Sequence, residues 1–196
     1  MKDSINDPSE NTPIALRAGW FRTWSAYAAH FFLLCVFLCT RIPAHAQRNP
    51  YAIHANIVYH FTKYINWPED KKTGDFIIGI VGDSPLYDEL KSFVSNKTAG
   101  SQKIVIKKYP ANATAYACNI LFISEDESKS LKKIAAATNG ASVLLVTESE
   151  GLARKGACIN FAIVDDRLKL EINKANIEQH NLNIASELLS LGILVK

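Results

Sequence analysis

The chain has 196 residues, 48% of them hydrophobic, and a formal charge of +3 from 22 basic and 19 acidic side chains. That length builds one domain with a proper core. The near balance of charge, with no basic run interleaved by aromatics, argues against a nucleic-acid partner.

In chain order the first feature is Thr23–Thr40 (TWSAYAAHFFLLCVFLCT), which has no formal charge. Arg17 and Arg22 precede it, and Arg41–Ala46 (RIPAHA) follows it and ends in Ala44-x-Ala46. Basic flank, apolar run and small-residue site are the order of a secretory signal. Cleavage after Ala46 is predicted, with residues 1–46 as signal peptide and Gln47–Lys196, 150 residues, as a single exported domain. Left uncleaved, the eighteen residues sit at the lower edge of a bilayer span and anchor the domain in the inner membrane. The globular part is exported in both cases, and this segment is its sole membrane contact. Cleavage leaves 18 basic against 16 acidic residues and two cysteines, Cys118 and Cys158. In an oxidising compartment these two either pair or remain buried thiols at strand ends.

Ile53–Pro68 (IHANIVYHFTKYINWP) is expected to be the first helix of the mature domain. Ile53, Ile57, Phe61, Tyr64 and Ile65 share one side of a 3.6-residue repeat, and Asn56, His60 and Lys63 fill the other. The helix is expected to run out at Trp67, because a residue before proline leaves the α region. Phe76–Val81 (FIIGIV) reads as a strand covered on both faces. In Gly82-Asp83-Ser84-Pro85, Ser84 suits a helix cap and Pro85 a first helical position. A helix carrying Leu86, Leu90, Phe93 and Val94 follows. Lys103–Tyr109 alternates apolar residues with lysines, as a strand with one wet face near a sheet edge does.

Asn119–Ile123 and Val143–Thr147 are further buried strands, with a helix around Lys129–Thr138 between them. The acids Glu125, Asp126 and Glu127 suit that helix's positive end. Cys158–Val164 and Arg167–Ile172 form an antiparallel hairpin turning at Asp165-Asp166. The tail, Lys174–Lys196, reads as two short helices with Leu188, Leu189 and Leu191 packing back. Strand–helix alternation predicts an α/β fold: a mostly parallel sheet flanked by helices on both faces, three-layered and Rossmann-like, with the C-terminal hairpin as an antiparallel edge.

The chemistry-bearing residues are sparse. Gly82, Asp83 and Ser84 stand where doubly wound folds bind a nucleotide- or amino-acid-like ligand. They include a single glycine and no phosphate-loop lysine, so a plain capped turn is the stronger reading. His54 and His60 are six residues apart and cannot chelate from one helix face. Ser84 lacks a nucleophile-elbow context and neither cysteine has a base beside it. No catalytic set, metal or cofactor is expected.

A family resemblance is carried by Val58–Pro68 (VYHFTKYINWP), Ile80–Pro85, Cys118–Ile123, Val143–Thr147, Gly151–Asn160 (GLARKGACIN), Leu170-Glu171-Ile172-Asn173 and Ser186–Leu189. In that order and spacing the set resembles the YfiR/HmsC-type periplasmic proteins over essentially the whole mature domain. The resemblance implies a non-enzymatic regulator that binds and inhibits an inner-membrane signalling protein, a diguanylate cyclase or a sensor kinase, in control of cyclic-di-GMP, exopolysaccharide and biofilm. It also implies a homodimer and disulfide bonding. A Cys118–Cys158 bond requires that the two strand ends meet. The signature residues are Tyr64, Trp67 and Pro68 at the helix end and Glu171 and Asn173 on the late strand. Each serves as a partner contact or as a fold element, with Asn173 placed to cap the following helix.

Overall fold

Strands that are buried at every position set the centre of the sheet. The computed structural model describes residues 50–196, so the signal segment and cleavage site expected within residues 1–46 lie outside the described residues. Among the described residues no helix is long and apolar enough to cross a membrane. Helix α1 (Pro50–Tyr64) leads into a short strand β1 (Ile65–Asn66), then β2 (Phe76–Val81), α2 (Leu86–Phe93), β3 (Thr98–Ala99) and β4 (Gln102–Tyr109). Next come β5 (Ile120–Ile123), a 3-10 turn at Glu125–Ser130, α3 (Leu131–Ala137), β6 (Leu144–Thr147), β7 (Ile159–Val164) and β8 (Arg167–Ile172). The tail holds α4 (Lys174–Gln179), β9 (Asn183–Ile184), α5 (Ser186–Leu191) and β10 (Ile193–Leu194).

Eight strands form one sheet in the order β10-β8-β7-β6-β5-β2-β4-β3. All pairings are parallel except β7–β8 and β3–β4. The expected α/β class and mostly parallel sheet are therefore present, but the sheet curls strongly into a half-barrel instead of lying open. Strand twist accumulates across eight neighbours, which bends a sheet of this width. The central strands β5 and β6 are buried at every position, as the continuous apolar runs require.

The antiparallel hairpin is where the sequence places it. Asp165 and Asp166 have φ of 51° and 56°, the left-handed pair that a two-residue turn needs. It is not the sheet edge, however. β10 pairs parallel to β8 outside it. The tail thus has two strands besides its two helices, and Leu188 packs into the core while Leu191 is 71% exposed. Four residues of tail are too short a pattern to separate strand from helix by periodicity.

Helix α1 is turned relative to its expected apolar stripe. Ala55, Val58 and Phe61 are its buried residues, and Ile53 is exposed. The small Ala55 lets the helix approach the sheet, and Phe61 stacks on Phe161 of β7, ring centroids 6.4 Å apart. Phe161 also meets Phe122 of β5, so three aromatic rings join α1 to the sheet. The helix stops at Tyr64, three residues before Trp67. Ile65 and Asn66 leave it to pair with Ile184 and Asn183 of β9, and the Ala185 N–H donates to the Tyr64 carbonyl at 2.9 Å. This tertiary pairing ends the helix before the proline rule does.

Cys118 and Cys158 are free and buried, so of the two alternatives the structure shows buried thiols and not a Cys118–Cys158 bond. Strand β6 lies between the strands they precede, and the Cys158 N–H donates to Leu145 of β6. Two strand spacings amount to about 9–10 Å, beyond the roughly 7 Å that a disulfide can bridge. Burial pushes both thiols up to about 12. In the mature domain we expect no reaction with a thiol reagent while native and two free thiols on unfolding, with or without reductant. One thiol or none in unreduced, unfolded protein would contradict it.

Candidate functional site at the end of helix α1

The sheet has two ends, and the sequence pointed to both. At the C-terminal ends of β2, β5 and β6, the chain from Gly82 to Pro85 makes the expected capped turn. The Leu86 N–H donates to Ser84 Oγ at 3.2 Å, and Pro85 takes helical angles ahead of α2. Gly82 has φ of +89°, and a Cβ there would fall 1.9 Å from Ser124 Oγ, so only glycine fits. The Ser124 hydroxyl bonds both the Val81 carbonyl and the Asp126 carboxylate, and the Asp83 N–H donates to Asp126 at 3.2 Å. The Ser124 hydroxyl first, then the Asp83 N–H, hold Asp126 below its ordinary range.

This crevice is the usual ligand site of doubly wound folds, and side chains of the protein border it. Tyr51 from the first turn of α1 lies beside Glu148 and Ser84, which act on its hydroxyl. Glu148 accepts from the Glu125 N–H at 3.2 Å, and burial raises its affinity for a proton. Asp83, exposed at the rim, lies 3.7 Å from Lys108. Asp83, Glu125, Asp126 and Glu148 give the turn a negative field, which repels phosphate.

The opposite end is open. A groove of about 560 Å³ runs along the end of α1 and β1, from Thr62 to Trp67. Its other walls are Lys72, Phe76, the β3–β4 turn at Ala99–Gln102, and Asn183–Ala185. Trp67 forms part of the lining but is only 5% exposed. Its indole meets Phe76 edge-on at 5.0 Å, and its Nε1–H donates to the Asn119 carbonyl at 3.3 Å. Asn119 in turn accepts from the Ile77 N–H at 2.9 Å and donates to the Lys71 carbonyl at 3.3 Å. Gln102 Nε2 donates within reach of the Lys71, Thr73 and Gly74 carbonyls. The two buried amides thus fold the 69–75 loop against the groove. Tyr64 is half-buried, its ring 6.4 Å from His60, and Lys63 sits 5.1 Å over the Tyr59 ring. Pro68 begins the loop, its carbonyl accepting from the Lys71 N–H.

The late signature strand is built into the interior. Thr147 Oγ1 donates to Asn160 Oδ1 at 2.7 Å, and Asn160 Nδ2 donates to Glu171 at 2.9 Å. Arg154 approaches the same carboxylate at 3.7 Å. Asn173 caps α4, its Oδ1 accepting from the Asn176 N–H at 3.1 Å while its Nδ2 donates to the Ala153 carbonyl at 2.9 Å. Replacing Asn173 with alanine should cost about 1–2 kcal/mol in urea unfolding. Ala153 retains Asn176 as a donor, which limits the loss.

Tyr64 and Trp67 therefore line the groove, Pro68 begins the loop that follows them, and Glu171 and Asn173 lie apart in polar networks. The sequence reading missed Gln102, Asn119 and Asn183. Asn119 left one trace, a polar residue heading an apolar strand; the other two left none.

A family model described as YfiR/HmsC-like matches residues 51–193, from the first turn of α1 to β10. The chain belongs to the YfiR/HmsC-like family. No curated protein is significantly similar to it. The YfiR/HmsC-like match takes in every wall of the groove and both signature segments, so the α1 end belongs to the family domain and not to an added part.

Proposed function

We propose that this YfiR/HmsC-like protein is an exported, non-enzymatic regulator. It binds and inhibits an inner-membrane signalling protein, a diguanylate cyclase or a sensor kinase, and so acts on cyclic-di-GMP, exopolysaccharide and biofilm. The observation that carries this reading is the family match across residues 51–193. The groove at the α1 end supports it by offering a concave surface with an aromatic floor and a lysine rim. Its export rests on the signal read at residues 1–46, and a homodimer is a second assembly of the same domain.

Tagged protein recovered from solubilised membranes tests this directly. A cyclase or kinase should copurify, and deletion of the protein should raise cyclic-di-GMP. Repeated recovery of the protein alone would sink the reading. The alternative, a small-ligand sensor at Gly82–Pro85, predicts a thermal shift with nucleotides or amino acids. The carboxylates and Tyr51 packed there weigh against it.

A further inference from the structure

We infer that the outer edge of β4 is a docking site for an extended, acidic segment of a protein partner, which adds to the sheet as a further strand. The inference deepens the regulator reading and rests on it for the partner's identity, but not for the chemistry of the surface.

β4 pairs along Ile104–Tyr109 with β2 on its inner side. On its outer side the next strand, β3, covers only Gln102 and Lys103. Six residues, Ile104–Tyr109, thus form a sheet edge with no strand beside them among the described residues. Such an edge presents unpaired N–H and C=O groups, which an extended peptide satisfies by strand addition. The other end of the sheet offers only two residues, in β10.

The side chains along β4 fix the occupant's chemistry. Lys103, Lys107 and Lys108 are exposed, Val105 and Ile106 are half-buried, and the strand has no acidic residue. Asp83, 96% exposed, approaches Lys108 at 3.7 Å, and the Lys108 ammonium also lies 5.0 Å over the Tyr87 ring. Exposed pairs of this kind are weak and exchange readily. A segment alternating carboxylates with small apolar side chains would set its acids on the face of Lys103 and Lys107 and its apolar residues on the other face, beside Ile104 and Ile106. Lysines on an edge also deter a second copy from pairing there, which favours a complementary partner over self-association.

The test uses the intact domain and a capped (Glu-Val)4 peptide as probe. Binding is followed by fluorescence anisotropy at 50 mM salt, with hydrogen exchange read across β4. We expect binding that weakens at least tenfold in the Lys103→Glu/Lys107→Glu variant, with slowed exchange at Ile104–Tyr109. A peptide of the same sequence N-methylated at every amide should bind at least tenfold more weakly, since it keeps the charge and has no N–H to donate on either edge. Equal binding of the methylated peptide, or protection elsewhere in the domain, would overturn strand addition. Self-association of wild-type chains through this edge, seen by sedimentation, would overturn the choice of occupant. In the copurification experiment, the variant should lose the membrane partner while melting normally. A variant that retains the partner would overturn the edge proposal alone. Failure of wild-type protein to recover any partner would strike the regulator reading and leave the peptide result standing.

Discussion

Replacing Trp67 with alanine should destabilise the domain by about 3–5 kcal/mol, the usual cost of emptying a large aromatic site in a core. For a domain of this size that lowers the melting temperature by roughly 6–20 °C. The indole is 5% exposed, lies edge-on to Phe76 and reaches the Asn119 carbonyl at the head of β5. It therefore closes the sheet below β2 and β5 while forming one wall of the groove. Trp67→Phe separates the two contributions. It keeps a ring against Phe76 and gives up one hydrogen bond, worth about 1 kcal/mol. The loss should fall at the low end, because the Asn119 carbonyl still accepts from the Leu144 N–H at 2.9 Å. Calorimetry of both variants checks the ranking. A Trp67→Ala protein that melts with the wild type and loses its membrane partner would make the indole a contact residue instead of core.

Acid should weaken the domain through His54. Its ring lies 4.4 Å from Phe161 and 5.1 Å from Tyr51, and its Nδ1 is buried without a hydrogen-bond partner. Burial lowers its pKa from an ordinary 6.5 to about 4. The unfolded chain therefore takes up a proton between about pH 6.5 and 4 that the folded one refuses. Stability from this group is complete above pH 6.5, falls through that window and is level below it. After allowance for the ring's partial exposure, the loss is about 2–3 kcal/mol. His180 acts in the same sense: burial lowers its pKa against a hydrogen bond to the Thr138 backbone. Glu148 acts oppositely, since burial raises its pKa and its protonation favours the folded form. Urea unfolding at pH 7 and pH 4.5 should show a smaller difference for His54→Phe, which keeps a ring on Phe161. An unchanged difference would remove His54 from this role.

The sequence by itself determined the elements that local physics dictates. FIIGIV, ILFI and LLVT are apolar without alternation, and strands of that kind are stable only when both faces are covered. The Asp165-Asp166 turn, the Ser84 cap and the Asn173 cap each follow from what one short side chain does to nearby backbone. The order and spacing of the motifs likewise carry the family resemblance, and the family match spans the same residues. Tertiary structure decided the rest, because long-range pairing outweighs weak local preference. Ile65 and Asn66 became a strand because Asn183 and Ile184 arrive beside them. Helix α1 turned its Ala55 inward and left Ile53 outside because Phe161 and Phe122 set where the helix sits. The cysteines stayed apart because β6 runs between them. The groove exists for the same reason. Its walls come from residues 62–67, 72–76, 99–102 and 183–185, and nothing local in those four stretches says that they meet.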